Sequence, residues 1–380
     1  MSLQFITGNS GNGKTKYLFN RIVKEAKANP RDNYLVIVPE QFTMQTQRQL
    51  VDLSENKAIM NIDVLSFKRL AYRVFDELGI TNLTVLEETG KNLVLRKLAA
   101  QEADKLGVIG RNLNRIGYIS EVKSLLSELV QYNISPEELG RYIASGMLSD
   151  TLSDKLKDVL VLYEAFEKFM QDKYITAEEI LNVLSNVAEE SAILRNSVIA
   201  FDEFTGFTPI QNQLIKKLFV ISKKIYVTLT IDCREDIFKS RGMQELFDMP
   251  KRTVKSLTEM AAFYGIEVEE PIILDKNYRL AENEELSFME QQLFRKRRCS
   301  FKKAPKHIHI DCLRDPKQEL TKIARRINEL VRNENLRYRD IAIVTGDVNI
   351  YAGYVREIFD KYNIPYFIDA TQEILFHPFI

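Results

Sequence analysis

The stretch Gly8-Asn9-Ser10-Gly11-Asn12-Gly13-Lys14-Thr15 sets Gly8 and Gly13 five positions apart and follows the second with a lysine and a threonine. That is the G-x-x-x-x-G-K-[ST] spacing of a phosphate cradle. Backbone N–H groups from Asn9 to Thr15 would face phosphate oxygens at a helix N-terminus. Lys14 would reach the β and γ oxygens, and the Thr15 hydroxyl would ligate Mg²⁺. The residues therefore read as a site for ATP with Mg²⁺. A cradle that also hydrolyses needs acids at the end of a second strand. "SVIAFDEF" supplies Asp202, to hold the Mg²⁺ together with Thr15, and Glu203, to polarise an attacking water.

The elements around these residues follow from the pattern. "LQFIT" is a short apolar strand before the cradle, and the helix after it runs from about Lys14 to Lys27. "YLVIVP" (Tyr34 to Pro39) is a continuous apolar run of the kind a buried parallel strand requires, and "NIDVLSF" predicts a third strand. "FKRLAYRVFDELG" predicts a helix closed by Gly79. From about Glu87 to Glu190 the chain is almost wholly helical in pattern, with "SPEELGRYI" marking a helix start at Pro136. Strands return at "SVIAFDEF" and "KKIYVTLTID". A second α/β pattern then follows: "HIHIDCL", a helix from Lys317 to Arg332, "DIAIVTG", another helix and "PYFID". The distance from Lys14 to Asp202 is too long for a compact nucleotide kinase and demands an inserted helical domain. The last residues, "ILFHPFI", end on apolar positions, and the chain is expected to be part of something longer.

Bulk properties narrow the function classes. The 380 residues exceed what one core usually carries, so two or three domains are expected. Net charge is +0 at pH 7, so any nucleic-acid contact must come from a local groove and not a global positive field. Cys233, Cys299 and Cys312 are well separated, which argues against a disulfide framework or zinc site and fits a reducing cytoplasm. His307 and His309 are expected to share one face of a strand. There is no signal-peptide pattern, no apolar run long enough to span a bilayer, and no internal repeat.

Several motifs in order carry a resemblance. "VLSFKRLAYRVF", "FDEFTGFTPIQ" and "LDKNYRL" resemble motifs of superfamily 1A DNA helicases of the UvrD/Rep type, and residues from Tyr338 to Asp369 resemble the opening of their second RecA-like domain. "MSLQFITGNSGNGKT", "VPEQFTMQTQ", "DVLSFKRLAYRVF" and "FDEFTGFTPIQ" together are similar to the N-terminal part of the AddB family, with RexB close behind. This resemblance implies an α/β fold with a RecA-like P-loop domain over residues 1–75 and 191–290. It also implies a helical insertion over residues 76–190 and the start of a second RecA-like domain over residues 291–380. By the same resemblance Arg279 approaches the γ-phosphate. The family works as a heterodimer with an AddA-type motor and nuclease subunit, on single-stranded and broken double-stranded DNA. It carries a [4Fe-4S] cluster whose ligands lie in a C-terminal nuclease region, and none of the three cysteines here has a cluster-binding spacing.

The resemblance also places the loops after the second and third strands against single-stranded DNA. Gln41 and Thr43 would offer neutral hydrogen bonds, Phe67, Tyr72 and Phe207 would stack on bases, and Arg69 would pair with phosphate or guanine. In the family this surface is implicated in recognising Chi, a short sequence that switches degradation to recombination. Phe67 and Tyr72 could equally be core residues of a helix. The run "RKRRCSFKK" (Arg295 to Lys303) reads either as a further DNA contact or as a solvated linker.

Departures from an active helicase set the expected activity. Only seven residues precede Gly8, too few for an adenine-clamping glutamine motif. "TIDCREDIF" keeps Asp232 but not the glycine and glutamine of the helicase Gly-Asp-x-x-Gln, and Thr205 replaces the glutamine after Asp-Glu-Phe. An arginine finger, worth roughly 10³–10⁵ in rate, is not among the matched motifs. A weak or inactive ATPase that scans DNA is expected. A translocating superfamily 1A helicase and a P-loop protein unrelated to DNA remain as alternatives.

Overall fold

The computed structural model describes residues 1–81, 84–110, 117–146, 148–170, 174–295 and 299–368, which fall into two compact units divided between Ser287 and Phe288.

The first unit is built on a parallel sheet. Its strands are β1 (Ser2–Gly8), β2 (Tyr34–Ile37) and β3 (Ile62–Leu65), then, beyond the insertion, β6 (Val198–Phe201), β7 (Lys224–Thr230), β8 (Glu267–Val268) and β9 (Ile272–Leu274). The spatial order is β3-β2-β6-β7-β1, with β8 and β9 pairing successive parts of the free edge of β1. Every pairing is parallel. Apolar runs without alternation are what a sheet covered on both faces selects, and β2 and β6 are buried at every position.

The period of two assigns the faces. Phe5, Leu35, Ile37, Ile199, Phe201 and Val227 point into a core shared with α3 (Phe67–Leu78), α8 (Ile180–Val187), α9 (Pro209–Ile221) and α10 (Asp248–Phe263). Ile6, Tyr34, Val36, Val198, Ala200 and Tyr226 point the other way, onto α1 (Lys14–Ala28) and α2 (Thr43–Leu53). Helix ends follow their local chemistry. Ser66 caps α3, whose C-cap Gly79 sits at φ 68, and Thr208 begins α9 with a capping box and Pro209 in the first turn.

The insertion enters and leaves through one neck. β4 (Val85–Leu86) pairs in parallel with β5 (Ile175–Thr176), and between them α4 (Glu88–Gln101), α5 (Tyr118–Gln131), α6 (Pro136–Ala144) and α7 (Asp150–Met170) enclose their own core around Leu95, Leu126, Leu162 and Phe166. Lys91, 2% exposed, closes the neck by bonding Glu88 and both oxygens of Glu178. This separate core runs from Leu86 to Tyr174, narrower than residues 76–190. Phe75, Leu78, Val85, Ile175, Ile180 and Leu184 pack with the sheet, because α3 and α8 each bury an apolar face there.

The second unit begins within α11 (Glu284–Gln292). In it α12 (Pro316–Asn333) and α13 (Val348–Lys361) pack together over Leu320, Ala324, Ile327, Ile358 and Phe359. The strands expected at 307–313, 340–346 and 365–369 are not seen: among the described residues, which end at 368, these segments pair with no neighbouring strand. His307 and His309 therefore share no strand face. Strand geometry is held by partners, and here Ile310 and Val344 stand 95% and 92% exposed. Among the described residues, no helix is long and apolar enough to cross a membrane.

Candidate nucleotide site

β1 ends at Gly8 and α1 begins at Lys14, so the cradle is the turn that carries a buried strand into a helix N-terminus. Gly11 lies at φ +89 and a Cβ there would stand 2.8 Å from the Arg279 Cβ, so only glycine fits. The Lys14 ammonium donates to the carbonyl oxygens of Gly8 (3.1 Å) and Asn9 (3.0 Å). Burial pushes its pKa down, against the pull of Glu203 and Asp202.

Thr15 faces the acids. Its hydroxyl donates to Asp202 Oδ1 and to Glu203 Oε1, both at 3.3 Å. Asp202 is 1% exposed at the end of β6, and Thr228 on the neighbouring β7 also donates to its Oδ1. Its Oδ2 is buried with no hydrogen-bond partner among the described residues. Burial raises the Asp202 pKa above the usual carboxylate range, with Glu203 adding to it and the Thr228 and Thr15 bonds opposing. An orphaned, desolvated carboxylate oxygen beside a threonine hydroxyl is a donor set suited to a hard cation such as Mg²⁺. Glu203 leaves the strand at φ 64, which turns its side chain toward Thr15.

Residues from the far end of the unit complete the cradle. Asn277 Nδ2 donates to the Ser10 carbonyl (3.1 Å), the Tyr278 N–H to the Gly11 carbonyl (3.0 Å), and Arg279 to the Ser10 hydroxyl (3.3 Å). Asn12 Nδ2 reaches the Leu274 carbonyl at 2.5 Å, and Asn9 Oδ1 accepts from the Cys233 N–H at 2.9 Å. Of these, Ser10, Gly11, Tyr278 and Arg279 border a cleft of about 840 Å³ that is also lined by Lys14, Thr15, Lys16, Asp202 and Glu203 and by Gln45 and Gln49 of α2. Sequence reasoning missed Tyr278. Its ring is 64% exposed beside Gly13, where a base could stack, and its place next to Arg279 was the available signal. Asp232, 2% exposed, is held in a bidentate pair by Arg234, with Nη2 to Oδ2 at 2.6 Å.

The six candidates for DNA contact separate. Gln41 is exposed in a short 3₁₀ turn and Tyr72 is 38% exposed on α3. Arg69 is half exposed but paired with Glu40 at 3.1 Å, and Glu40 also accepts from the Ser66 hydroxyl, tying the loop after β2 to the start of α3. Thr43 is buried, and its hydroxyl is used on the Glu40 carbonyl at 3.0 Å. Phe67 needs correction as a stacking residue. It is 7% exposed, with its ring centroid 5.8 Å from Phe201, 5.6 Å from Phe204 and 6.3 Å from Phe207. Apolar neighbours on three sides offer more burial than a face in water, so Phe67 is core and Phe207 is half-buried against it. The basic run from Arg295 falls partly outside the described residues, at 296–298.

The family model described as "ADDB, N-terminal" matches residues 5–290. A protein from Lachnoclostridium phytofermentans, named as a subunit of an ATP-dependent helicase/deoxyribonuclease, is 37% identical over 385 residues, covering 100% of this chain and 34% of that protein. Proteins of the same name from Clostridium tetani and Clostridioides difficile are each 33% identical, covering 98% and 100% of this chain and 33% of each relative. The chain thus spans about a third of the length of the curated relatives it matches.

Proposed function

This chain belongs to the ADDB N-terminal family, and on that premise we propose that it is the helicase-like, nucleotide- and DNA-binding part of a helicase/deoxyribonuclease subunit. In this reading the parallel sheet with its cradle is a RecA-like P-loop domain of the superfamily 1A type, the helices between β4 and β5 its insertion, and the second unit the start of a second RecA-like domain. The intact enzyme pairs it with an AddA-type motor and nuclease subunit in the cytoplasm and acts on broken double-stranded DNA. The buried Oδ2 of Asp202, unpartnered among the described residues and beside the Thr15 hydroxyl, carries the nucleotide reading.

Asp202 and Thr15 would hold the cation of Mg·ATP, which when bound would supply a terminal phosphate for attack by water. Lys14, now on the carbonyls of Gly8 and Asn9, would be free to meet the phosphate oxygens, where its charge is better matched. Glu203 would orient the water, and Arg279 donates directly to the cradle at the Ser10 hydroxyl. The site holds nucleotide more than it drives movement. Asp232, at the position of a helicase motif, is neutralised by Arg234, and Thr205 stands where the resembled family has the glutamine after Asp-Glu-Phe. Gln41, Tyr72 and Arg69 form the exposed part of a surface for one DNA strand that reads Chi.

Nucleotide-dependent thermal stabilisation tests the core of this reading. A ligand at a hundred times its Kd adds about 2.7 kcal/mol to the folded state. Mg·ATP is expected to raise the melting temperature of the unaltered protein and to leave Lys14→Ala unmoved. An equal shift in both would place the nucleotide elsewhere, and rapid DNA-stimulated turnover would make the chain a motor.

A further inference from the structure

Residues Asn277 to Arg279 lie against the cradle without belonging to it in sequence, and their bonds go mainly to the cradle's carbonyl oxygens. Asn277 Nδ2 holds the Ser10 carbonyl, the Tyr278 N–H holds the Gly11 carbonyl, and Asn277 Oδ1 accepts from the Leu280 N–H at 3.0 Å. One amide side chain thus fixes its own turn with one atom and the cradle with the other. Nothing between them yields: a Cβ on Gly11 would lie 2.8 Å from Asn277 Oδ1 and 2.8 Å from the Arg279 Cβ.

A trans peptide is planar, with its C=O and N–H pointing in opposite directions. Fixing the Ser10 carbonyl outward on Asn277 therefore turns the Gly11 N–H away from the strap, toward the inside of the cradle. Fixing the Gly11 carbonyl on Tyr278 turns the Asn12 N–H back to the Asn9 carbonyl, which it meets at 3.2 Å and so closes the loop. Without these bonds, the glycine-rich loop would have to order its peptides when ligand arrives, at a cost in conformational freedom.

We propose that Asn277 is a positioning residue for phosphate binding: it presets the cradle's peptide orientation before ligand arrives, through the Ser10 carbonyl, so that polyphosphate meets N–H groups already turned inward. This rests on the nucleotide reading above. It assigns to Asn277 a part distinct from that of Arg279, which carries charge, since Asn277 acts on the backbone and not on the ligand.

The test is calorimetric titration of the purified protein with Mg·tripolyphosphate and with Mg·ATP, beside ligand-free melting curves, for the unaltered chain, Asn277→Ala and Asn277→Asp. Asn277→Ala is expected to weaken both ligands by the same factor, about fivefold to tenfold, as one neutral hydrogen bond implies. Its ligand-free melting temperature should fall by a few degrees at most, since alanine also gives up the bond from the Leu280 N–H. Asn277→Asp keeps the acceptor for the Leu280 N–H but exchanges the donor for a negative charge facing the Ser10 carbonyl, so it should weaken tripolyphosphate more than Asn277→Ala does while its turn remains intact. Unchanged tripolyphosphate affinity in Asn277→Ala overturns the proposal. So does a loss of affinity that comes with a fall of many degrees in ligand-free melting temperature, since the strap would then merely hold the fold. If the unaltered protein binds neither ligand, the nucleotide reading itself fails and takes the strap with it.

Discussion

At the scale of single residues, Asp202 concentrates the conflict between stability and function. Its carboxyl is desolvated, carries one orphaned oxygen and has a pKa raised by that burial. A carboxyl whose pKa rises on folding favours the folded state at low pH and gives that contribution up as pH climbs through the folded value. Whenever this carboxylate is ionised in the ligand-free protein its charge is desolvated, and a cation would relieve that cost. Asp202→Asn removes the charge while keeping the shape and an acceptor for Thr228. It is expected to raise the ligand-free melting temperature at pH 7 and to abolish the Mg²⁺ dependence of nucleotide stabilisation. A variant that melts lower and still responds to Mg²⁺ would show that Asp202 is not the cation's ligand.

At the scale of elements, the aromatic quartet of Phe67, Phe201, Phe204 and Phe207 joins the start of α3 to the end of β6 and the loop that follows Glu203. Phe67→Ala would open a cavity there and is expected to cost about 3–5 kcal/mol in urea unfolding, the usual range for a buried phenylalanine. An unfolding curve that does not move would return Phe67 to the DNA surface. This position shows where sequence reading runs out. An aromatic residue at the first position of a helix looks the same whether it meets a base or three other rings. The cradle and the acids after β6 were legible because each is a local pattern, glycines at fixed spacing and an apolar run ending in Asp-Glu. The strap was not, because Asn277 and Ser10 are 267 residues apart and no periodicity links them. The strands of the second unit were misread for a related reason: an alternating or apolar run states a willingness to pair, and pairing depends on what lies alongside.

For the whole molecule, specificity and affinity should separate. Of the exposed DNA candidates Gln41, Tyr72 and Arg69, only Arg69 is charged, and it is paired with Glu40. Non-specific binding follows the number of phosphates neutralised, so replacing Gln41 or Tyr72 with Ala should hardly change it. Losing a stacking or base-edge contact should cost roughly 1–3 kcal/mol at the recognised sequence alone. If the proposed function holds, Gln41→Ala or Tyr72→Ala in the full-length protein with its proposed partner subunit is expected to leave degradation of ordinary DNA intact and to remove attenuation at Chi, in assays on matched DNA with and without that sequence. Equal losses on both substrates would assign these residues to translocation. The sheet's connectivity has a different kind of consequence. β1, which leads into the cradle, pairs with β7, β8 and β9, all of them far later in the chain. On the ribosome this strand is thus made well before any of its neighbours, while the insertion, whose contacts are closer in sequence, can condense in the meantime. During synthesis the cradle is born early and assembled late, and for that interval an apolar strand has both its edges open to stray pairing.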